Sequence, residues 1–173
     1  TDANGGATPN CGTVTAITNA IPTVSAGADV SIPLGTSFQL TAVGADGDVG
    51  DSLTYAWDQF DLGTLSSDVA TATTDAGNRA LFRSYSQPAS PSRYFPSLTY
   101  ILNNANNPPL TYACAPLGTC LTGETMPTTA RAMHFQVVAR DNKASGGAIV
   151  TDEVIVTTVA ATGPFRVTAP NVD

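Results

Sequence analysis

Met133, Phe135, Val137 and Ala139 alternate with His134, Gln136 and Val138. A helix cannot sort such a pattern onto one side, whereas a strand with one buried face requires it. The turn-forming run Arg140-Asp141-Asn142-Lys143-Ala144-Ser145-Gly146-Gly147 follows, and Ile149 through Val159 returns as mostly apolar and β-branched residues. This is the signature of a hairpin with an apolar inner face. Upstream the same alternation recurs: Phe38, Leu40 and Ala42 with Gln39 and Thr41, then Leu53, Tyr55 and Trp57 on one face of Leu53–Phe60. Val30 and Ile32 flank Ser31 just before Pro33, as a short edge strand would. Trp57, the only tryptophan, sits mid-strand and reads as a core plug. His134, the only histidine, points opposite Phe135 and reads as a sheet-surface residue.

Composition agrees. Charged residues make up 12% of the 173, about half the usual share of roughly 25%. The chain carries 25 Thr and a single Lys, Lys143, which favours pleated surfaces and deprives helices of their solvent face. The strand spacing, with a core Trp on the third, predicts an all-β fold, an antiparallel immunoglobulin-like sandwich of two sheets. Its body is expected over residues 21–162. Residues 1–20, with a strand-like patch at Val14–Ile17, are expected to be a linker or the tail of a previous domain, and 163–173 a linker to a following domain. Residues 61–131 have weak periodicity and much Ser, Pro and Asn. They are expected to form a long, loop-rich insertion hanging from one end, with short strands at Ala80–Arg83 and Arg93–Phe95 and a helical turn at Ser97–Leu102.

A net charge of −7 and a pI near 4.3 argue against nucleic acid and against anionic membrane surfaces, since no basic patch exists. No apolar run approaches the ~18–20 residues of a spanning helix. Cys114 and Cys120 bracket the turn Ala115-Pro116-Leu117-Gly118-Thr119, and a disulfide between them would contribute roughly 2 kcal/mol. Cys11 is left over. It is either a free thiol or the partner of a cysteine upstream, and the chain, opening at Thr1-Asp2-Ala3-Asn4, is expected to be a mature piece of a longer secreted protein.

Catalytic motifs are absent from the sequence: no HExxH, no Gly-x-Ser-x-Gly elbow, no phosphate loop and no zinc-spaced cysteines. A non-catalytic chain is expected. The acid loop Ala45-Asp46-Gly47-Asp48-Val49-Gly50-Asp51-Ser52 places Asp46, Asp48 and Asp51 close together, with Asp58 on the next strand. Calcium takes six to eight oxygens without fixed geometry, so this loop is a candidate calcium site. The competing reading is a plain Asp/Gly turn, and Asp141-Asn142 is read as a turn. In the insertion Tyr85, Tyr94, Phe95, Tyr100 and Tyr112 gather with Arg79, Arg83 and Arg93. They form either a ligand surface or the insertion's own small core.

Several strings carry a resemblance. Asn19–Gly27, Asp46-Gly47-Asp48, Leu53–Gln59 and Ala139-Arg140-Asp141-Asn142 resemble a PKD-like domain. Asn78 through Pro96, Asn103-Asn104, Gly123–Arg131, Gly163-Pro164-Phe165 and Val167–Asn171 are similar to the segment that follows the catalytic domain in bacterial secreted, reprolysin-like zinc metalloproteases. The resemblance covers roughly 20–171 and implies a PKD-like sandwich without catalysis of its own. It implies that the protease domain of the same chain is the partner and that Cys11, in a string similar to that domain's last residues, pairs there. It also implies that loop aspartates together with Asn19 hold calcium, although here Val49-Gly50 separates Asp48 from Asp51. Three functions follow as expectations: an accessory domain that supports the protease or holds protein substrate, a carbohydrate-binding module built on Tyr85, Tyr94 and Tyr100, or an adhesin-like spacer.

Overall fold

The computed structural model describes residues 18–63, 74–86, 88–144 and 146–162. Cys11, the patch at Val14–Ile17 and the 163–173 segment lie outside them. The chain is nearly all β: β1 (Thr23–Ser25), β2 (Val30–Pro33), β3 (Phe38–Thr41), β4 (Val43–Ala45), β5 (Thr54–Gln59), β6 (Ser92–Phe95), a short helix α1 (Leu98–Asn103), β7 (Thr111–Cys114), β8 (Gly118–Leu121), β9 (Ala132–Arg140) and β10 (Ile149–Val159), closed by a 3-10 turn at Ala160–Thr162.

The alternation read at Met133–Ala139 is the backbone of the fold. β9 is the centre of a four-stranded sheet ordered β2-β10-β9-β5, and Met133, Phe135, Val137 and Ala139 are fully enclosed on its inner face. Tyr55 and Trp57 of β5 and Val154 and Val156 of β10 lie beside them. β9 pairs antiparallel with β10 and β5. β2, however, runs parallel to β10, Val30 opposite Val156 through Pro33 opposite Val159. Pro33 has no N–H to donate, and the sheet edge is where it is tolerated. The other strands form two-stranded antiparallel pairs, β1 with β4, β3 with β6 and β7 with β8.

The insertion does not simply hang from one end. β6 pairs with β3, Phe38 opposite Phe95, and Leu81, Phe82 and Phe95 join the main core. Phe95 lies 4.7 Å from Phe135 and stacks on Phe38 at 5.0 Å, and Phe82 meets Phe95 at 5.3 Å. The physical reason is area: Phe rings bury some 150–250 Å² each, more than a loop cluster of its own would cover. The part that does project is the β7–β8 hairpin, stapled by the Cys114–Cys120 disulfide. Ala80–Arg83 forms no strand, only a bridge of Phe82 to Glu124, while the expected helical turn appears as α1.

Candidate functional site

The acid loop follows β4, and the turn between β9 and β10 meets it. Carboxylate oxygens of Asp46, Asp51 and Asp141 lie within 4.8 Å of one another. Gly50 bends the loop with φ +101°, a left-handed conformation open to glycine. Across from it, a side chain on Gly147 would place Cβ 2.8 Å from Asp141 Oδ1, so glycine lets the turn close over the carboxylate.

Asn19 ties the start of the body into this group. Its amide donates to Asp141 Oδ2 at 2.6 Å and to the Gly146 carbonyl at 3.1 Å. Asp141 is buried and also accepts from the N–H groups of Lys143 and Ala148 at 3.1 and 2.9 Å, so it is a turn residue as well as a member of the group. These contacts, the Asn19 amide first, hold its carboxyl below the usual range. Asp48 stands slightly apart, accepting from Lys143 Nζ at 2.6 Å and from the Ala20 N–H at 2.9 Å. The Lys143 ammonium, then the Ala20 N–H, lowers its pKa.

Three enclosed oxygens have no hydrogen-bond partner: Asn19 Oδ1, Asp46 Oδ2 and Asp51 Oδ2. Lys143 Nζ lies 3.4 Å from Asp51 Oδ2 and interacts with it electrostatically, which leaves Asn19 Oδ1 and Asp46 Oδ2 as the unmatched pair. Oxygens stranded like this cost free energy unless something positive meets them. The donors are all oxygens with no thiolate or imidazole, the preference of a hard cation. Carboxylate oxygens that all lie within 4.8 Å of one another can share one ion whose ligands stand about 2.3–2.6 Å away. The residues fit calcium, and those that would hold it are Asp46, Asp51, Asp141 and Asn19.

Asp58 is not in this group. It lies on β5 opposite Gln136 and acts electrostatically on Arg93. The ligand candidates of the insertion scatter. Tyr85, Tyr94 and Arg93 line one cavity beside β5. Phe95 is in the core, and Tyr100 rides on α1 outside that cavity. Arg83 is exposed and donates to the Tyr85 hydroxyl at 3.3 Å.

Two polar clusters have no counterpart among the candidates from sequence. Asp61 is met by His134 Nδ1 at 2.6 Å, Gln59 Nε2 at 2.5 Å and Arg131 at 3.5 Å, so His134 is a paired residue although its imidazole is half-exposed. Glu124, fully buried, faces Arg93 at 3.6 Å. Apart from Gln59 with Asp61, each contact joins residues more than thirty apart in the chain, and no local spacing signals it. No known protein family, no curated protein and no solved structure matches this chain.

Proposed function

We propose that the chain is a non-catalytic accessory domain, an immunoglobulin-like, PKD-like sandwich stiffened by calcium, that supports the protease domain of a secreted bacterial metalloprotease. The observation that carries the reading is the meeting of Asp46, Asp51 and Asp141 with Asn19 around oxygens that lack partners. Asn19 precedes β1, and Ala20 donates to Asp48. A cation here would fix the direction in which the chain enters the body, the property a support domain needs at a junction. Lys143 supplies part of the positive charge on the Asp48 and Asp51 side. Secretion is supported by the disulfide, which persists in oxidising compartments.

The test is calorimetric titration with calcium, with thermal melts in calcium and in chelator. Saturable binding that raises the melting temperature, and that Asp51→Asn abolishes, is the expected result. No heat and no shift would remove calcium from the reading. Attachment to the protease is tested separately by expressing the longer chain with and without residues 18–162 and measuring the melting temperature of the catalytic part, which is expected to fall when they are removed.

A further inference from the structure

We infer that the cavity beside β5 is a binding site for a neutral pyranose ring of an oligosaccharide. This rests on a different part of the molecule from the calcium reading and stands or falls without it. The cavity measures about 320 Å³, at the small end of ligand pockets, which run from roughly 300 to 1,000 Å³. It has room for a short sugar segment.

Its walls set the chemistry. Tyr55, Ala56 and Trp57 are consecutive in β5 and all line it. Their side chains alternate between faces, so all three reach one cavity only along the main-chain edge of the strand. That edge is already spanned: the Tyr55 N–H donates to the Pro88 carbonyl and Trp57 Nε1 to the Pro91 carbonyl, both at 2.9 Å. Arg93 donates to the Trp57 carbonyl. An extended peptide adding itself as a new strand would need those same positions, so the edge is closed to it.

Charge is spoken for as well. Arg93 is the one cationic residue of the lining, and no carboxylate is present. Its two terminal nitrogens are committed to the carbonyls of Trp57 and Arg83 and to the Glu124 carboxylate, and its Nε, though without a partner, is enclosed. What remains for a ligand is hydroxyls and apolar surface. Ser86, Ser90, Ser92 and Ser97 lie around it, and a hydroxyl both donates and accepts, as the hydroxyls of a sugar do. Tyr85 is held against the guanidinium groups of Arg83 and Arg93, 4.6 and 4.7 Å from its ring centre, so it offers an edge and a hydroxyl. Tyr94, 39% exposed, is the ring whose negative face can receive the C–H face of a pyranose. Leu98 and Pro88 complete the apolar wall.

Trp57 is the only tryptophan and lines the cavity, so its fluorescence reports occupancy. Chitohexaose, cellohexaose and mannohexaose, each titrated to millimolar concentration, are the probes, with a proline-rich hexapeptide as the rival. The expected result is saturable quenching or a spectral shift with at least one sugar. It weakens about tenfold or more in Tyr94→Ala, the loss of an aromatic anchor, and persists in Tyr94→Phe. Leu98→Arg, an exposed change at the cavity, abolishes it, and Tyr112→Ala, a tyrosine 41% exposed outside the lining, leaves it unchanged. Melting temperatures near that of the parent establish that the variants fold. Failure of all three sugars, binding of the peptide alone, or sugar binding indifferent to both Tyr94→Ala and Leu98→Arg would overturn the proposal.

Discussion

The pairing of Glu124 with Arg93 ties two segments of the insertion together, and its cost can be bounded. Glu124 is 1% exposed, its Oε2 accepts the Ser97 N–H at 3.0 Å, and its Oε1 faces Arg93 Nη2 at 3.6 Å. Burial alone lowers the pKa of Arg93, against the pull of Glu124. Glu124→Gln keeps the volume and an acceptor for Ser97 while removing the charge. Breaking a buried pair by deleting one partner costs 3–5 kcal/mol. Arg93 would keep two carbonyl acceptors and its place over Phe95, 4.5 Å from the ring centre, so roughly 1.5–3 kcal/mol is expected here. For a chain of this length that is a fall in melting temperature of roughly 3–12 °C. Replacing both partners, Glu124→Leu with Arg93→Met, leaves no stranded charge and is expected to cost less than the two single changes together. Urea unfolding followed by Trp57 fluorescence measures all four corners of the cycle. A Glu124→Gln variant within about 0.3 kcal/mol of the parent, or strict additivity, would refute the reasoning.

Other consequences are as direct. Asp48 and Asp141 have lowered folded pKa values, so their stabilisation is full above the unfolded carboxylate value of about 3.9 and is lost as pH falls through the lower folded values; urea midpoints should hold down to about pH 5 and drop below about pH 4, less steeply in Asp48→Asn. Lys143 has a raised pKa, caused first by Asp48, and its contribution is lost only as pH climbs past about 10.4, an alkaline decline that Lys143→Met should remove. Phe135→Ala empties a fully enclosed site among Phe38, Phe82 and Phe95 and is expected to cost about 3–5 kcal/mol by urea unfolding. Cys114→Ser with Cys120→Ser should loosen only the β7–β8 hairpin, by about 2 kcal/mol; hydrogen exchange would quicken over Thr111–Leu121 and not in β9.

What the sequence discloses is the part of the fold that repeats locally. Alternation places Met133, Phe135, Val137 and Ala139 inward, and the structure encloses all of them. It places Tyr55 and Trp57 inward too, but gives no reason for Gln59 to follow them. Gln59 is 8% exposed because its Oε1 accepts the N–H groups of Leu81 and Phe82 at 2.7 and 3.2 Å, a long-range need without a local pattern. The same holds for β6, whose four residues find β3 across some fifty positions of chain. At the candidate cation site the acid loop is legible as a run of aspartates. Asp141 is legible only as a turn, because its second role depends on Asn19 approaching from the other end of the chain.

Both halves of that lesson meet at the root of the insertion. Arg131, 8% exposed, enters β9 and binds Asp75 at 2.9 Å, the Arg79 carbonyl at 2.8 Å and Asp61 at 3.5 Å. Burial would raise the pKa of Asp75, but the N–H groups of Gly77 and Thr128, with Arg131 and Thr129, outweigh it and leave it lowered. These residues stand on the entering and leaving arms of the 61–131 stretch, so their bonds close its mouth. Loop-closure entropy grows slowly with length, and for a stretch this long the enclosed Leu81, Phe82 and Phe95 together with this polar clamp give it two independent attachments. A loop held at both its mouth and its middle keeps Tyr85, Tyr94 and Leu98 in fixed relation to β5. The cavity along that strand is therefore built by the same contacts that fold the insertion, and a change that loosens Arg131 should disturb the slot before it disturbs β9.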